Sequence, residues 1–172
     1  MFVRRRQGFL QMFAKRPSRR ESGSALIEFA LTILPLFGLL FLILDVAWVI
    51  FAWSCLQEGA REGVRFAVTG QVPTGYACQD AAIRGVVQQY SFGFVNAQNA
   101  SSVVGIQYYD PTTFQPLAGL GSNAGGNVVK ITLSGIAIHS LGPVWRSVAP
   151  VTLAASSSDV VEGSPGGIPP CR

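Results

Sequence analysis

Two carboxylates lie inside a strongly apolar stretch near the N-terminus. The stretch runs from Ser22 to Ile50, and it carries Glu28 and Asp45 among leucine, isoleucine, phenylalanine and valine. An ionised carboxylate in hydrocarbon is costly unless a cation or a set of hydrogen-bond donors compensates for its charge. The chemistry that these residues suggest is therefore charge pairing, and the sequence must supply a partner for Glu28.

Few other side chains could support catalysis or metal binding. The chain has a single histidine, His139, and beyond residue 70 its acids (Asp80, Asp110, Asp159 and Glu162) are widely spaced. The sequence contains none of the short patterns that mark serine hydrolases, phosphate-binding loops or zinc proteases. We therefore expect a protein that is not an enzyme, with no catalytic residue, no metal and no cofactor.

The apolar stretch predicts a membrane-spanning helix. Hydrophobic residues make up 49% of the 172-residue chain and charged residues only 13%, and no charge lies between Phe29 and Leu44. A helix needs about 20 apolar residues to cross the hydrocarbon core, and this one has enough if it continues to Trp53. Pro35 predicts a kink within it, because proline lacks the amide hydrogen that the helix requires.

Basic residues are concentrated in front of this helix. Seven of the 13 lysines and arginines lie in the first 20 residues, whereas residues 24–172 hold six basic and eight acidic side chains, a balance of −2. A basic arm next to a membrane helix is typical of the cytoplasmic side. This arrangement predicts a cytoplasmic N-terminus and an exterior location for the region after Trp53, and nucleic-acid binding is not expected.

The order of residues around the start of the helix resembles the class III signal sequences of type IV pilins. A basic leader is followed by Gly23, the four residues "SALI", Glu28 and the aromatic Phe29. After the apolar run, Leu56-Gln57 and the segment "AREGVRFA" at 60–67 are similar to the corresponding segment of TadE-like proteins of the tight-adherence (Tad, Flp) pilus. The resemblance covers residues 22–70 and indicates the TadE-like family of minor pilins and pseudopilins.

This resemblance implies processing and a role for Glu28. A prepilin peptidase would cleave between Gly23 and Ser24 and release a positively charged α-amine at Ser24. Glu28 follows one helical turn later, so it could pair with that amine or with the amine of a neighbouring subunit and so set the register of assembly. Alternatively, Glu28 simply lies at the headgroup boundary. Asp45, about 25 Å further along an ideal helix, is expected to be hydrated at the outer boundary, or else to form a second intersubunit pair.

The same resemblance implies a function and a location. The chain would be a structural component needed to assemble an adhesive pilus, placed in the bacterial inner membrane with one crossing. Its partners would be the prepilin peptidase, other pilins, Tad assembly proteins and membrane lipid. The alternative function is a permanently anchored extracytoplasmic binding module whose helix never leaves the bilayer.

The residues that follow predict a small α+β domain with an antiparallel sheet, as in pilins. We expect a cleaved leader at 1–23, a transmembrane helix at 24–53, a helical extension at 54–70 that ends near Gly70 and Pro73, and an extracytoplasmic domain at 71–172. Within that domain the patterns predict a helix at 80–90 and strands at 103–109, 129–138 and 151–161. A phase slip at Gly135 predicts a β-bulge, and residues 110–126 are expected to be a loop.

Three cysteines remain for an oxidising compartment. Cys78 and Cys171 flank the outer domain, and a disulfide between them would tie the C-terminal tail to the start of the domain. The alternatives are three free thiols or a crosslink between subunits through Cys55.

Overall fold

The computed structural model describes residues 21–141 and 149–163, and it confirms the α+β class. It has a long N-terminal helix followed by a small antiparallel sheet. The chain divides into two compact units, Met1–Leu40 and Phe41–Arg172. The described part of the first unit is helical, and all the strands belong to the second unit.

Three helices and four strands form the described structure. Helix α1 spans Glu21–Val68, α2 spans Gln79–Tyr90 and α3 spans Ala100–Val103. The strands are β1 (Val104–Tyr109), β2 (Pro116–Leu117), β3 (Val128–Ile138) and β4 (Val151–Val160). Their order in the sheet is β2-β1-β3-β4, and every neighbouring pair is antiparallel.

The C-terminal part of α1 contributes a stripe of buried residues to the domain core. Ala52, Leu56, Ala60 and Val64 recur at a spacing of four and are buried, as the periodicity of an amphipathic helix requires. They share one apolar cluster with side chains of α2 and of strands β1, β3 and β4. A sheet and two helices therefore enclose a single core.

Helix α2 packs closely against α1 because α1 carries glycine at the contact. A Cβ added to Gly63 would lie 2.6 Å from Cγ2 of Val87 and 3.1 Å from Cδ1 of Ile131. One turn earlier, a Cβ on Gly59 would lie 3.3 Å from the carbonyl oxygen of Val87. Any larger side chain at residue 63 would push α2 or β3 away from α1.

A bulge in β3 keeps the strand in register with the core. The pairing of β3 with β4 shifts between Leu133 and Ile136, and Gly135 between them has a φ of +80°. Glycine takes this conformation without a steric penalty. The bulge predicted from the phase slip is confirmed, and it keeps both Leu133 and Ile136 buried.

The end of α1 is held by one local hydrogen bond and by hydrogen bonds from more distant parts of the chain. Gly70, with a φ of +63°, donates its N–H to the carbonyl of Ala67 at 3.2 Å. The side chain of Gln79 donates to the same carbonyl at 3.0 Å and accepts from Nδ2 of Asn123 at 2.6 Å. The N–H of Glu162 donates to the carbonyl of Val68 at 3.2 Å.

The sequence-based elements agree with the structure except between α2 and β3. The region predicted to be a loop, residues 110–126, contains the short strand β2, which pairs with the end of β1. The short helix α3 directly before β1 was also not expected. Both elements are too short to carry a clear hydrophobic period, and only their pairing within the fold defines them.

Candidate functional site

The apolar side chains of α1 are largely exposed from Leu26 to Trp53. Leu26, Ile27, Leu31 and Leu34 are among the most exposed large hydrophobic residues. No residue of the most apolar 18-residue window is buried inside the structure. Among residues 21–141 and 149–163, α1 is the one helix that is long and apolar enough to cross a membrane. This surface is in line with membrane anchoring.

Glu28 lies on this helix with its carboxylate directed to the preceding turn. The hydroxyl of Ser24 donates to Oε1 of Glu28 at 3.2 Å, and the hydroxyl of Thr32 donates to the backbone carbonyl of Glu28 at 2.8 Å. Side chains on a helix lean toward its N-terminus. The Glu28 carboxylate is therefore aimed at the residue that the resemblance makes the new N-terminus.

The other sequence-predicted site residues are placed as follows. Gly23 lies in α1, and a Cβ built on it would meet no atom within 4 Å. Pro35 lies inside the same helix, and the predicted kink stays a prediction. Cys78 is the N-cap residue of α2, whereas Cys171 lies outside the described residues, so their pairing also stays a prediction. Cys55 is a free thiol.

From the sequence we expected Asp45 to be hydrated at the outer boundary. In the structure its carboxylate is instead hydrogen-bonded to other parts of the protein. Its Oδ2 accepts a hydrogen bond from the hydroxyl of Ser140 at 2.5 Å, and its Oδ1 accepts one from the N–H of Leu141 at 2.7 Å. Both donors follow the end of β3. The carboxylate therefore links the segment after β3 to α1. The two partners are more than 90 residues apart in sequence, so local patterns do not reveal the contact.

An aromatic cluster lies on α1 just after Asp45. Trp48 stacks on Phe51 with ring centroids 5.8 Å apart, and it also contacts Phe94 at 5.9 Å. Phe92 meets Phe51 edge to face at 5.2 Å. Sequence reasoning did not join these residues, because Phe92 and Phe94 belong to the turn after α2. The only signal was the density of aromatic residues in each segment.

One titratable group outside the apolar helix has a strongly shifted pKa. The pKa of Asp110 is lowered from 3.8 to about 2. The largest cause is the hydrogen bond that its carboxylate accepts from the hydroxyl of Thr112, followed by those that it accepts from the backbone N–H groups of Thr113 and Thr112. This turn follows β1 and is exposed. Within residues 21–141 and 149–163, no three His, Cys, Asp or Glu side chains are grouped so as to hold a metal ion.

The family comparison matches the helix that carries these features. The model of TadE-like proteins matches residues 23–65. This segment is TadE-like. The resemblance to TadE-like proteins, predicted in part from the "AREGVRFA" segment, is thereby confirmed over residues 23–65, whereas the resemblance of the leader to a class III signal sequence stays a prediction. The TadE-like match begins at Gly23, includes Glu28 and Asp45, and ends on the buried stripe of α1. Comparison with curated proteins and with solved structures finds no match.

The TadE-like match supports a component associated with the Tad pilus. It covers the exposed apolar part of α1 and the part of α1 that packs in the domain core. The sheet, α2 and the aromatic turn lie beyond it. The match therefore bears on the helix as an anchoring and packing element, and the surface of the domain must be interpreted from its own residues.

Proposed function

We propose that this chain is a minor pilin or pseudopilin, a structural component required to assemble a tight-adherence pilus used in adhesion. The observation that carries the proposal is the composition of a single TadE-like helix. Its apolar surface is exposed, and the one carboxylate before Asp45 in the matched segment 23–65 is Glu28, whose side chain reaches back to Ser24. A helix of this kind can pack against lipid before assembly and against neighbouring helices afterwards.

The mechanism begins with processing in the bacterial inner membrane. The N-terminus lies in the cytoplasm, and a prepilin peptidase cleaves between Gly23 and Ser24. Cleavage replaces a neutral peptide nitrogen with a charged α-amine.

Assembly then uses the charge of Glu28. The Ser24 hydroxyl lies 3.2 Å from the Glu28 carboxylate. An α-amine on Ser24 would therefore be close enough to pair with a Glu28 carboxylate. When another pilin or a Tad assembly protein brings its helix alongside, the amine of one subunit pairs with the Glu28 of the next. The pair removes an uncompensated charge from an apolar surface and fixes the axial register.

Processing is tested by N-terminal sequencing of the membrane-extracted protein. Wild type should begin at Ser24, and Gly23→Val should retain the leader. Gly38→Val is the matched control, because Gly38 is in the same helix and a Cβ there also meets nothing within 4 Å. A mature mass that is unchanged in Gly23→Val would refute cleavage at this bond and would favour a permanently anchored binding module.

The role of Glu28 is tested by pilus incorporation. Glu28→Ala and Glu28→Gln should insert and be cleaved, because neither change touches the cleavage site. They should fail to co-purify with sheared pili, since breaking one side of a buried ion pair costs about 3–5 kcal/mol. Glu58→Gln, at an exposed residue of the same helix, is the control. Normal incorporation of both Glu28 variants would show that the charge has no assembly role.

A further inference from the structure

The charged residues of the domain are segregated to one end. Within the described part of Phe41–Arg172, and apart from Asp45, every Asp, Glu, Lys and Arg lies in 58–65, 80–84, 110–130 or 159–162. These segments belong to the later part of α1, to the start of α2, to the chain from the end of β1 to the start of β3, and to the end of β4.

The packing places them together. Ser140 and Leu141, after β3, contact Asp45 near the start of this part of α1, whereas Glu162, after β4, contacts Val68 at its end. Helix α2 runs antiparallel to α1, because Gln79 contacts Ala67 while Phe92 contacts Phe51. The segments that carry charge therefore lie toward the end of the domain at which α1 finishes, and Asp45 is the one described carboxylate at the end at which α1 enters.

The end at which α1 enters the domain exposes large apolar side chains. Phe92, in the turn after α2, is 70% exposed and has a φ of +52°. Leu141 and Val151 are also exposed, beside the exposed α1 residues Ile50 and Phe51. We call Phe92, Phe51, Trp48, Phe94 and Leu141 the aromatic collar. Exposed aromatic side chains are costly in water and favourable at a membrane interface.

The height of the aromatic collar fits one interfacial layer of a bilayer. Trp48 and Phe51, the two collar residues on α1, are three residues apart, which is about 4.5 Å of helix. A bilayer has a hydrocarbon core of about 30 Å and a total thickness of about 40–45 Å, which leaves a layer of several ångströms on each side. The collar lies on and beside α1 within the candidate membrane span Gly23–Val68.

We propose that the aromatic collar is a lipid-binding surface that seats the domain in the outer headgroup layer of the bilayer that α1 crosses. This inference rests on the membrane insertion contained in the proposed function. It also moves the outer boundary of the bilayer from Trp53 to the neighbourhood of Asp45. The Asp45 carboxylate tolerates this position because Ser140 and Leu141 supply donors to it.

The domain offers a matched control for Phe92. Phe114 is 69% exposed and has a φ of +53°. It lies in the turn after β1, whose last residue pairs with Val128, at the far end of β3 from Ile138. Ten residue steps of strand separate the two ends of β3, which is about 33 Å. Two equally exposed phenylalanines thus mark the two ends of the same domain.

The test measures lipid contact at both residues in the full chain. Phe92→Cys and Phe114→Cys are made in a Cys55→Ser background, labelled with a polarity-sensitive fluorophore and reconstituted into phosphatidylethanolamine–phosphatidylglycerol vesicles. Some of the lipids carry a nitroxide near the top of the acyl chain, and acrylamide serves as the aqueous quencher. The background protein without an added cysteine gives the signal from other thiols.

We expect lipid quenching at residue 92 to exceed that at residue 114 several-fold, with the opposite order for acrylamide. Equal lipid quenching at the two residues would overturn the proposal. Protection of residue 92 from both quenchers would also overturn it and would indicate contact with a second copy. A label at Leu36→Cys tests insertion itself: if nitroxides deep in the bilayer do not quench it, the membrane anchor fails as well. Quenching at 36 without quenching at 92 rejects the collar alone.

Discussion

The buried pair of Gln79 and Asn123 gives the sharpest test of how the domain is held to α1. Gln79 has no exposed surface, and Asn123 is also buried. Gln79 donates to the Ala67 carbonyl and accepts from the Asn123 side chain. Gln79→Leu keeps a side chain of similar size but removes both interactions. The Asn123 amide then stays buried without this acceptor.

The expected cost follows from these two interactions. The Ala67 carbonyl retains the N–H of Gly70, so its loss is one ordinary hydrogen bond, about 1 kcal/mol. A buried amide that loses its partner costs about 1–3 kcal/mol. Gln79→Leu should therefore lower the free energy of unfolding of the domain by about 2–4 kcal/mol, a large part of the about 5–15 kcal/mol typical of a domain.

The assay is urea unfolding of the full chain in detergent micelles, followed by near-ultraviolet circular dichroism. Gln57→Leu is the control, because its half-buried side chain makes one hydrogen bond, to the Ser156 carbonyl at 3.1 Å. The double variant with Asn123→Leu should recover part of the loss, since no buried amide then lacks a partner. A Gln79→Leu cost no larger than that of Gln57→Leu, or a double variant that simply adds the two losses, would refute the reasoning.

Two further predictions concern other parts of the domain. Non-reducing peptide mapping of protein trapped without reductant should recover Cys78 and Cys171 in one linked fragment, and recovery of both as alkylated thiols would reject the pairing. Titration by NMR should give Asp110 a pKa of about 2, below its ordinary value of 3.8. The hydrogen bonds to the ionised carboxylate therefore stabilise the turn at any pH above 3.8, and this stabilisation is lost as the pH falls through about 2. Thr112→Val should raise this pKa, because the threonine hydroxyl is the largest cause of the shift; an unchanged pKa would contradict that cause.

Elements with a clear period were predictable from the sequence. The spacing of four from Leu56 to Val64 defines the buried stripe of α1, and alternation in β3 defines its inner face. Even the bulge was visible, because the alternation changes phase at Gly135. In these cases the signal is local, since a face that must be buried imposes its period on neighbouring residues.

Contacts between distant segments were not predictable in this way. Asn123 lies in a glycine-rich stretch that looks like an ordinary exposed loop, yet it is buried against Gln79. Phe92 and Phe94 meet Trp48 and Phe51 only because α2 returns along α1. A single sequence carries no period that relates such residues, so the polar pair and the aromatic collar required the fold.

Glu28 and Asp45 each place a carboxylate on an apolar helix, and the chain compensates the two charges in different ways. Asp45 receives donors from Ser140 and Leu141, so folding of the chain itself stabilises this carboxylate. Those donors are neutral, and they make a second intersubunit charge pair at Asp45 unnecessary. Glu28 receives a hydroxyl from Ser24, and residues 21–40 contain no lysine or arginine. In the function that we propose, the cation for Glu28 is a new α-amine or belongs to another chain, and Glu28 is then the residue through which processing controls assembly.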